Sequence, residues 1–115
     1  MSNLVFLELT YSDARKAKLA ISKTGRERYG RGDEGYDKEA VERVKEELGK
    51  GFDNMSSNEK VRLEFRTDDA GLIPSAVEIH ARDRRDKEHY GSAKKYQSVA
   101  DKIEHQLTMQ GVMVA

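Results

Sequence analysis

Two short apolar alternations, one in each half of the chain, constrain the fold more than any other feature. Val5-Phe6-Leu7-Glu8-Leu9 resembles Val61-Arg62-Leu63-Glu64-Phe65, and Asp13-Ala14 follows the first at the spacing at which Asp69-Ala70 follows the second. Further along, Leu19-Ala20-Ile21 parallels Val77-Glu78-Ile79, Tyr29-Gly30 parallels Tyr90-Gly91, and Val44 and Leu48 parallel Ile103 and Leu107. Self-similarity of this kind marks a duplicated unit. The offset drifts by a few residues, as loop insertions would make it do.

Residues that alternate with a period of two place one set of side chains on each face of a strand. On that basis Val5, Leu7, Leu9 and Tyr11 form one strand and Val61, Leu63 and Phe65 another. Val77, Ile79 and Ala81, alternating with Glu78, His80 and Arg82, form a third. Asp68-Asp69-Ala70-Gly71 and Pro74 supply turn chemistry between the last two, which reads as a hairpin. Ser12–Lys23 fits either structure. Ala17, Leu19 and Ile21 alternate, yet Ala, Arg, Lys and Leu favour helix, with Ser12 and Gly25 able to cap it. The repeat decides for strand.

Two helices follow from a different period. Beyond Asp37, a residue suited to capping, Ala40, Val41, Val44 and Leu48 share one face, and Gly49 and Gly51 end the segment. From Ser92 or Ala93 onward, Tyr96, Val99, Ala100, Ile103 and Leu107 form an amphipathic stripe closed by Gly111. The implied architecture is α+β: a four-stranded antiparallel sheet with two helices on one face, pseudo-duplicated ββα–ββα. The halves run over about 4–51 and 60–111 of a single domain, 1–115. The uncovered sheet face would carry Phe6, Glu8, Lys18, Arg62, Glu64, Arg66, Glu78, His80 and Arg82.

Composition narrows the function classes. The 115 residues hold 21 Lys plus Arg against 21 Asp plus Glu, so no net field draws the chain to nucleic acid from a distance. Without cysteine there is no disulfide framework, thiol nucleophile or thiolate metal site. No apolar run approaches the roughly 18 residues of a membrane span. Met1-Ser2-Asn3 does not begin a signal peptide, so the expectation is a soluble cytoplasmic protein.

The distinctive surface is the basic segment expected as a loop before each helix. Residues 23–32 hold Lys23, Arg26, Arg28 and Arg31 against Glu27. Residues 82–96 hold Arg82, Arg84, Arg85, Lys87, Lys94 and Lys95 against Asp83, Asp86 and Glu88. Each includes a tyrosine, Tyr29 or Tyr90. Arginine presents forked donors to phosphate oxygens, and tyrosine a flat face to a base. The principal reading is a non-enzymatic module that contacts nucleic acid or another phosphate-bearing partner. Its candidate residues are Arg26, Arg28, Tyr29, Arg31, Arg82, Arg84, Arg85, Tyr90, Lys94 and Lys95.

The alternative is a protein-binding regulator or inhibitor of the phage or mobile-element type. It would use the open sheet face (Phe6, Arg62, Glu64, Arg66 and His80) or a sheet edge, with a homodimer as one form.

Other patterns carry less. Gly30, Gly32 and Gly35 fit a glycine-loop spacing, but no parallel β-α-β unit follows. Arg31-Gly32-Asp33 and Asn54-Met55-Ser56 match short extracellular signals without a secretory context. Glu78, His80, Asp83, Asp86 and His89 crowd one region, where arginine neighbours favour a plain surface over a metal site. Glu8, Glu64 and Glu78 would pair with cross-strand arginines rather than act as acid and base. No nucleophile elbow is present. No catalytic residue, metal or cofactor is assigned.

Overall fold

The computed structural model describes residues 3–30, 38–50 and 59–112, with backbone alone at 25, 26 and 28–30. Seven elements follow in chain order: β1 (Leu4–Thr10), α1 (Tyr11–Gly30), α2 (Lys38–Gly49), β2 (Lys60–Arg66), the single turn α3 (Thr67–Ala70), α4 (Leu72–Asp86) and α5 (Tyr90–Met109). β1 and β2 pair antiparallel with Leu7 opposite Leu63, and they are the whole sheet among the described residues.

The expected four-stranded ββα–ββα sheet is therefore corrected. Residues 12–23 and 77–82, read as strands, are helical. In α1 the buried residues are Ala14, Ala17, Ala20 and Ile21, at helical spacing, whereas Leu19 is 50% exposed. A stripe built on alanine is only weakly hydrophobic, so the chance alternation of Ala17, Leu19 and Ile21 outweighed it. Thr10 starts this helix: its hydroxyl accepts the Asp13 N–H at 3.2 Å, satisfying one of the amides that a first turn leaves unpaired. In α4, Ile73, Ala76, Val77, His80 and Ala81 are buried at the same helical spacing. Pro74 sits in the first turn of α4, where its missing N–H breaks no intrahelical bond, and not in a hairpin.

α2 buries Ala40, Val41, Val44 and Leu48, and α5 buries Ala93, Tyr96, Val99, Ala100, Ile103 and Leu107. Together with Val5, Leu7, Leu9, Leu63 and Phe65 from the strands, they close one continuous core.

The relation that does hold between the halves is βαα to βαα. A shift of 56 residues carries Leu7, Leu9, Ala14, Ala17, Ala20, Ile21 and Thr24 onto Leu63, Phe65, Ala70, Ile73, Ala76, Val77 and His80, and every one of these is buried. A shift of 59 carries Ala40, Val41, Val44 and Leu48 onto Val99, Ala100, Ile103 and Leu107. The contacts obey the same relation and cross between halves. Arg43 of α2 grips Asp69 of α3 with two bonds, Nε–Oδ2 at 2.9 Å and Nη2–Oδ1 at 3.0 Å. Its counterpart is Lys102 of α5 beside Asp13 of α1, at 3.6 Å. Glu47 accepts the Glu64 N–H on the outer edge of β2 at 2.8 Å. Gln106 likewise accepts the Glu8 N–H on the outer edge of β1 at 2.8 Å and returns a bond to the Glu8 carbonyl at 3.0 Å. Each half's last helix thus closes the other half's strand.

The helical assignment of α1 makes a sharp prediction. Ala20→Leu forces extra volume into a packed interior and is expected to cost about 1–3 kcal/mol in urea unfolding. Leu19→Lys, one residue earlier, is expected to stay within about 0.5 kcal/mol of wild type. Strand alternation demands the opposite ranking.

Candidate functional site

Residues 14–26 contain Arg15, Lys16, Lys18, Lys23 and Arg26 and no acidic residue. Because this run is helical, its buried positions fall on Ala14, Ala17, Ala20, Ile21 and Thr24 while Arg15, Leu19 and Lys23 are exposed. Lys16 donates to the Ser12 hydroxyl at 2.7 Å, which holds its ammonium over the first turn of α1. Tyr11, Ser12, Arg15, Lys16, Leu19 and Tyr96 line a depression of about 240 Å³ there. On the other side of Leu19, Arg15, Lys18, Leu19 and Ser22 line a second of about 290 Å³.

The stripe continues onto α4. Lys23 pairs with Asp83 at 3.2 Å, and Lys87 reaches the same carboxylate at 3.3 Å. These two hydrogen-bonded lysines hold the Asp83 carboxyl below its ordinary range, so it stays ionised and balances the cations around it. The basic segment 82–96, expected as a loop, is instead the end of α4, a turn at 87–89 and the start of α5. That turn is closed by the His89 N–H bonded to the Arg84 carbonyl at 2.9 Å and by Glu88 in the left-handed region at φ 62°.

The candidate residues divide accordingly. Arg82 is exposed but tied to Glu78 at 3.6 Å, one turn back on the same helix. Arg85, Tyr90, Lys94 and Lys95 are exposed, Tyr90 to 63%. Lys94 lines a groove with Asp101 and His105 on α5. Arg26, Arg28 and Tyr29 occupy the last turns of α1, and their side chains lie outside the described residues, as does Arg31 altogether. Sequence reasoning missed Arg15, Lys16 and Leu19. The acid-free run was the available signal, but it was read as a strand.

His80 is a correction of another kind. Placed on the open sheet face by its supposed alternation, it lies buried in α4, edge-on to the Tyr96 ring with centroids 4.4 Å apart. Arg84 Nε donates to His80 Nε2 at 3.4 Å, which puts the neutral ring's proton on Nδ1, and that atom has no hydrogen-bond partner. Burial, with help from Arg84 and Lys23, pushes the imidazole below its ordinary value of 6.5. Burial also raises the Tyr96 phenol. The proposed clustering of Glu78, His80, Asp83, Asp86 and His89 falls with the strand: His80 is enclosed, Glu78 serves Arg82 and Asp83 serves two lysines.

The ribbon does keep one open face, with Phe6, Arg62, Glu64 and Arg66 on it. Four levels cross it: Leu4 beside Arg66, Phe6 beside Glu64, Glu8 beside Arg62 and Thr10 beside Lys60. The Arg62 guanidinium lies 4.1 Å above the Phe6 ring rather than against Glu8. The expected cross-strand ion pairs are therefore not formed. Leu4 and Met109, 49% and 74% exposed, flank this face.

Among the described residues no three His, Asp or Glu side chains are grouped to hold a metal ion, and no helix is long and apolar enough to cross a membrane. Comparison with protein-family models, curated proteins and solved structures found no match.

The His80 environment predicts a pH dependence. Its folded value lies below its unfolded one, so the unfolded chain binds more protons as pH falls. The stabilisation is complete above about 6.5 and is lost progressively below that. The urea midpoint is expected to drop between pH 7.5 and 5.5, and the drop to shrink in His80→Gln. Equal slopes for the two proteins would rule this origin out.

Proposed function

We propose that the protein is a non-enzymatic module that binds the phosphate backbone of a nucleic acid along the outward stripe of α1. The observation that carries this reading is the acid-free run 14–26, turned by its helix so that Arg15, Leu19 and Lys23 face solvent. Phosphate contacts by Arg and Lys supply sequence-independent affinity through counterion release. The chain is neutral overall, so the attraction is local to this stripe and the basic end of α4 rather than a long-range pull. Leu19 and the rim of Tyr96 give the stripe an apolar centre against which a sugar or base can rest.

This reading no longer rests on two equivalent loops. The first basic segment is the continuation of α1, and Lys23 joins it to the second through Asp83. Of the original candidates, Arg26 lies within the run itself and Arg84 and Arg85 follow Asp83 on α4, while Arg82 is engaged by Glu78 as Lys23 is by Asp83.

Fluorescence anisotropy with a labelled 20-mer, single- and double-stranded, tests the proposal. Binding is expected at 50 mM salt and to weaken steeply by 200 mM. Arg15→Ala/Lys23→Ala should lose roughly tenfold in affinity and reduce the salt slope by about 2. Lys94→Ala, in the α5 groove beside Asp101, should change little. No binding at 50 mM salt by either form of the 20-mer disproves the reading.

A further inference from the structure

We propose that the open face of the β1–β2 ribbon docks a second copy of this chain. This surface shares no residue with the basic stripe of α1, so the two proposals stand or fall apart. Among the described residues, Glu8, Arg62, Glu64, Arg66 and Lys60 form no salt bridge. Glu8 and Arg62 lie directly opposite each other in the register and still do not pair. Arg62 is held over Phe6, which keeps its charge on the face.

A face carrying both signs, with Glu8 and Arg62 opposed but unpaired, fits a surface of the same composition. A two-fold axis lying in the face and parallel to the strands sets each level against the same level of the second copy, with the strands exchanged. Glu8 then meets the partner's Arg62 and Arg62 meets the partner's Glu8. The other three levels bring a charged side chain against Leu4, Phe6 or Thr10, and no like charges meet. An axis across the strands would pair Arg62 with the partner's Glu64 twice but also press Arg66 on the partner's Lys60 twice. Neutrality of the whole chain removes any general repulsion between copies.

The contact is small. Seven-residue strands span roughly 24 Å and two of them about 10 Å, well under the ~800 Å² per partner of a standard interface, even with Met109 at the rim. Association is therefore expected to be weak and readily reversible.

Sedimentation equilibrium on the full chain reads it directly. The average mass is expected to rise toward that of a dimer between about 10 μM and 1 mM. Arg62→Glu and Glu8→Arg each create two like-charge contacts and should weaken association at least tenfold. The double variant Glu8→Arg/Arg62→Glu should restore it. An equimolar mixture of the two single variants should also associate like wild type, which shows at once that both are folded. Monomeric behaviour to 1 mM gives the face to some other occupant and overturns the proposal. So does self-association that the single changes leave intact or that the mixture fails to rescue.

Discussion

A sheet of two strands is all edge, and every outward-facing peptide group on it needs a partner that a third strand would ordinarily supply. On β1, Phe6 and Glu8 have such partners. Gln110 accepts the Phe6 N–H at 2.9 Å and donates to the Phe6 carbonyl at 2.6 Å, and Gln106 treats Glu8 in the same manner. A primary amide offers the same donor and acceptor as a peptide group. Residues four apart on a helix are separated by about 6 Å, and residues two apart on a strand by nearly 7 Å, so two glutamines one turn apart imitate the missing neighbour. Glu47 performs half of this on β2, because a carboxylate accepts but cannot donate. The arrangement ties α5 to β1 and α2 to β2, while the covered face closes on the core shared with α1 and α4.

Legibility in the sequence followed the strength of the hydrophobic signal. Leu7, Leu9, Leu63 and Phe65 are large and alternate cleanly, and α2 and α5 carry Val, Ile and Leu at helical spacing, so these four elements stand where period alone puts them. α1 meets the interior largely through Ala14, Ala17 and Ala20, and α4 sets Ala76 and Ala81 among its larger buried residues Leu72, Ile73, Val77 and His80. Alanine lets helices approach closely but contributes little contrast, and the nearest large side chains, Leu19 and Ile79, happened to fall at alternating positions. Matching Leu19-Ala20-Ile21 to Val77-Glu78-Ile79 then compounded the error, since it sets Ile21 against Ile79 where the structure sets it against Val77.

That one misreading redistributed the functional residues. As strands, 77–82 would have shown His80 to solvent and offered Glu78 to a neighbour's arginine. As a helix, it encloses His80 and satisfies Glu78 within its own turn. Conversely, a strand at 12–23 would have scattered Arg15, Lys16 and Lys23 over two faces, and only the helix makes a stripe of them. The open ribbon face was legible because it depends on β1 and β2 alone. The Gln106 and Gln110 bonds were not, because they join residues about a hundred positions apart and no local pattern announces them.

The crossing of outer helices between halves has a further consequence for how such a chain can come apart. A piece ending after α2 would carry a strand whose flanking glutamines had left with the other piece, and a helix whose arginine had lost Asp69. Neither fragment holds a finished edge, so each is a template for the other, and two separately made pieces should recombine into the parent shape. The peptide join between α2 and β2 contributes chiefly local concentration, on the millimolar scale for a short connection. Joining two interlocking units in one polypeptide frees their assembly from dilution.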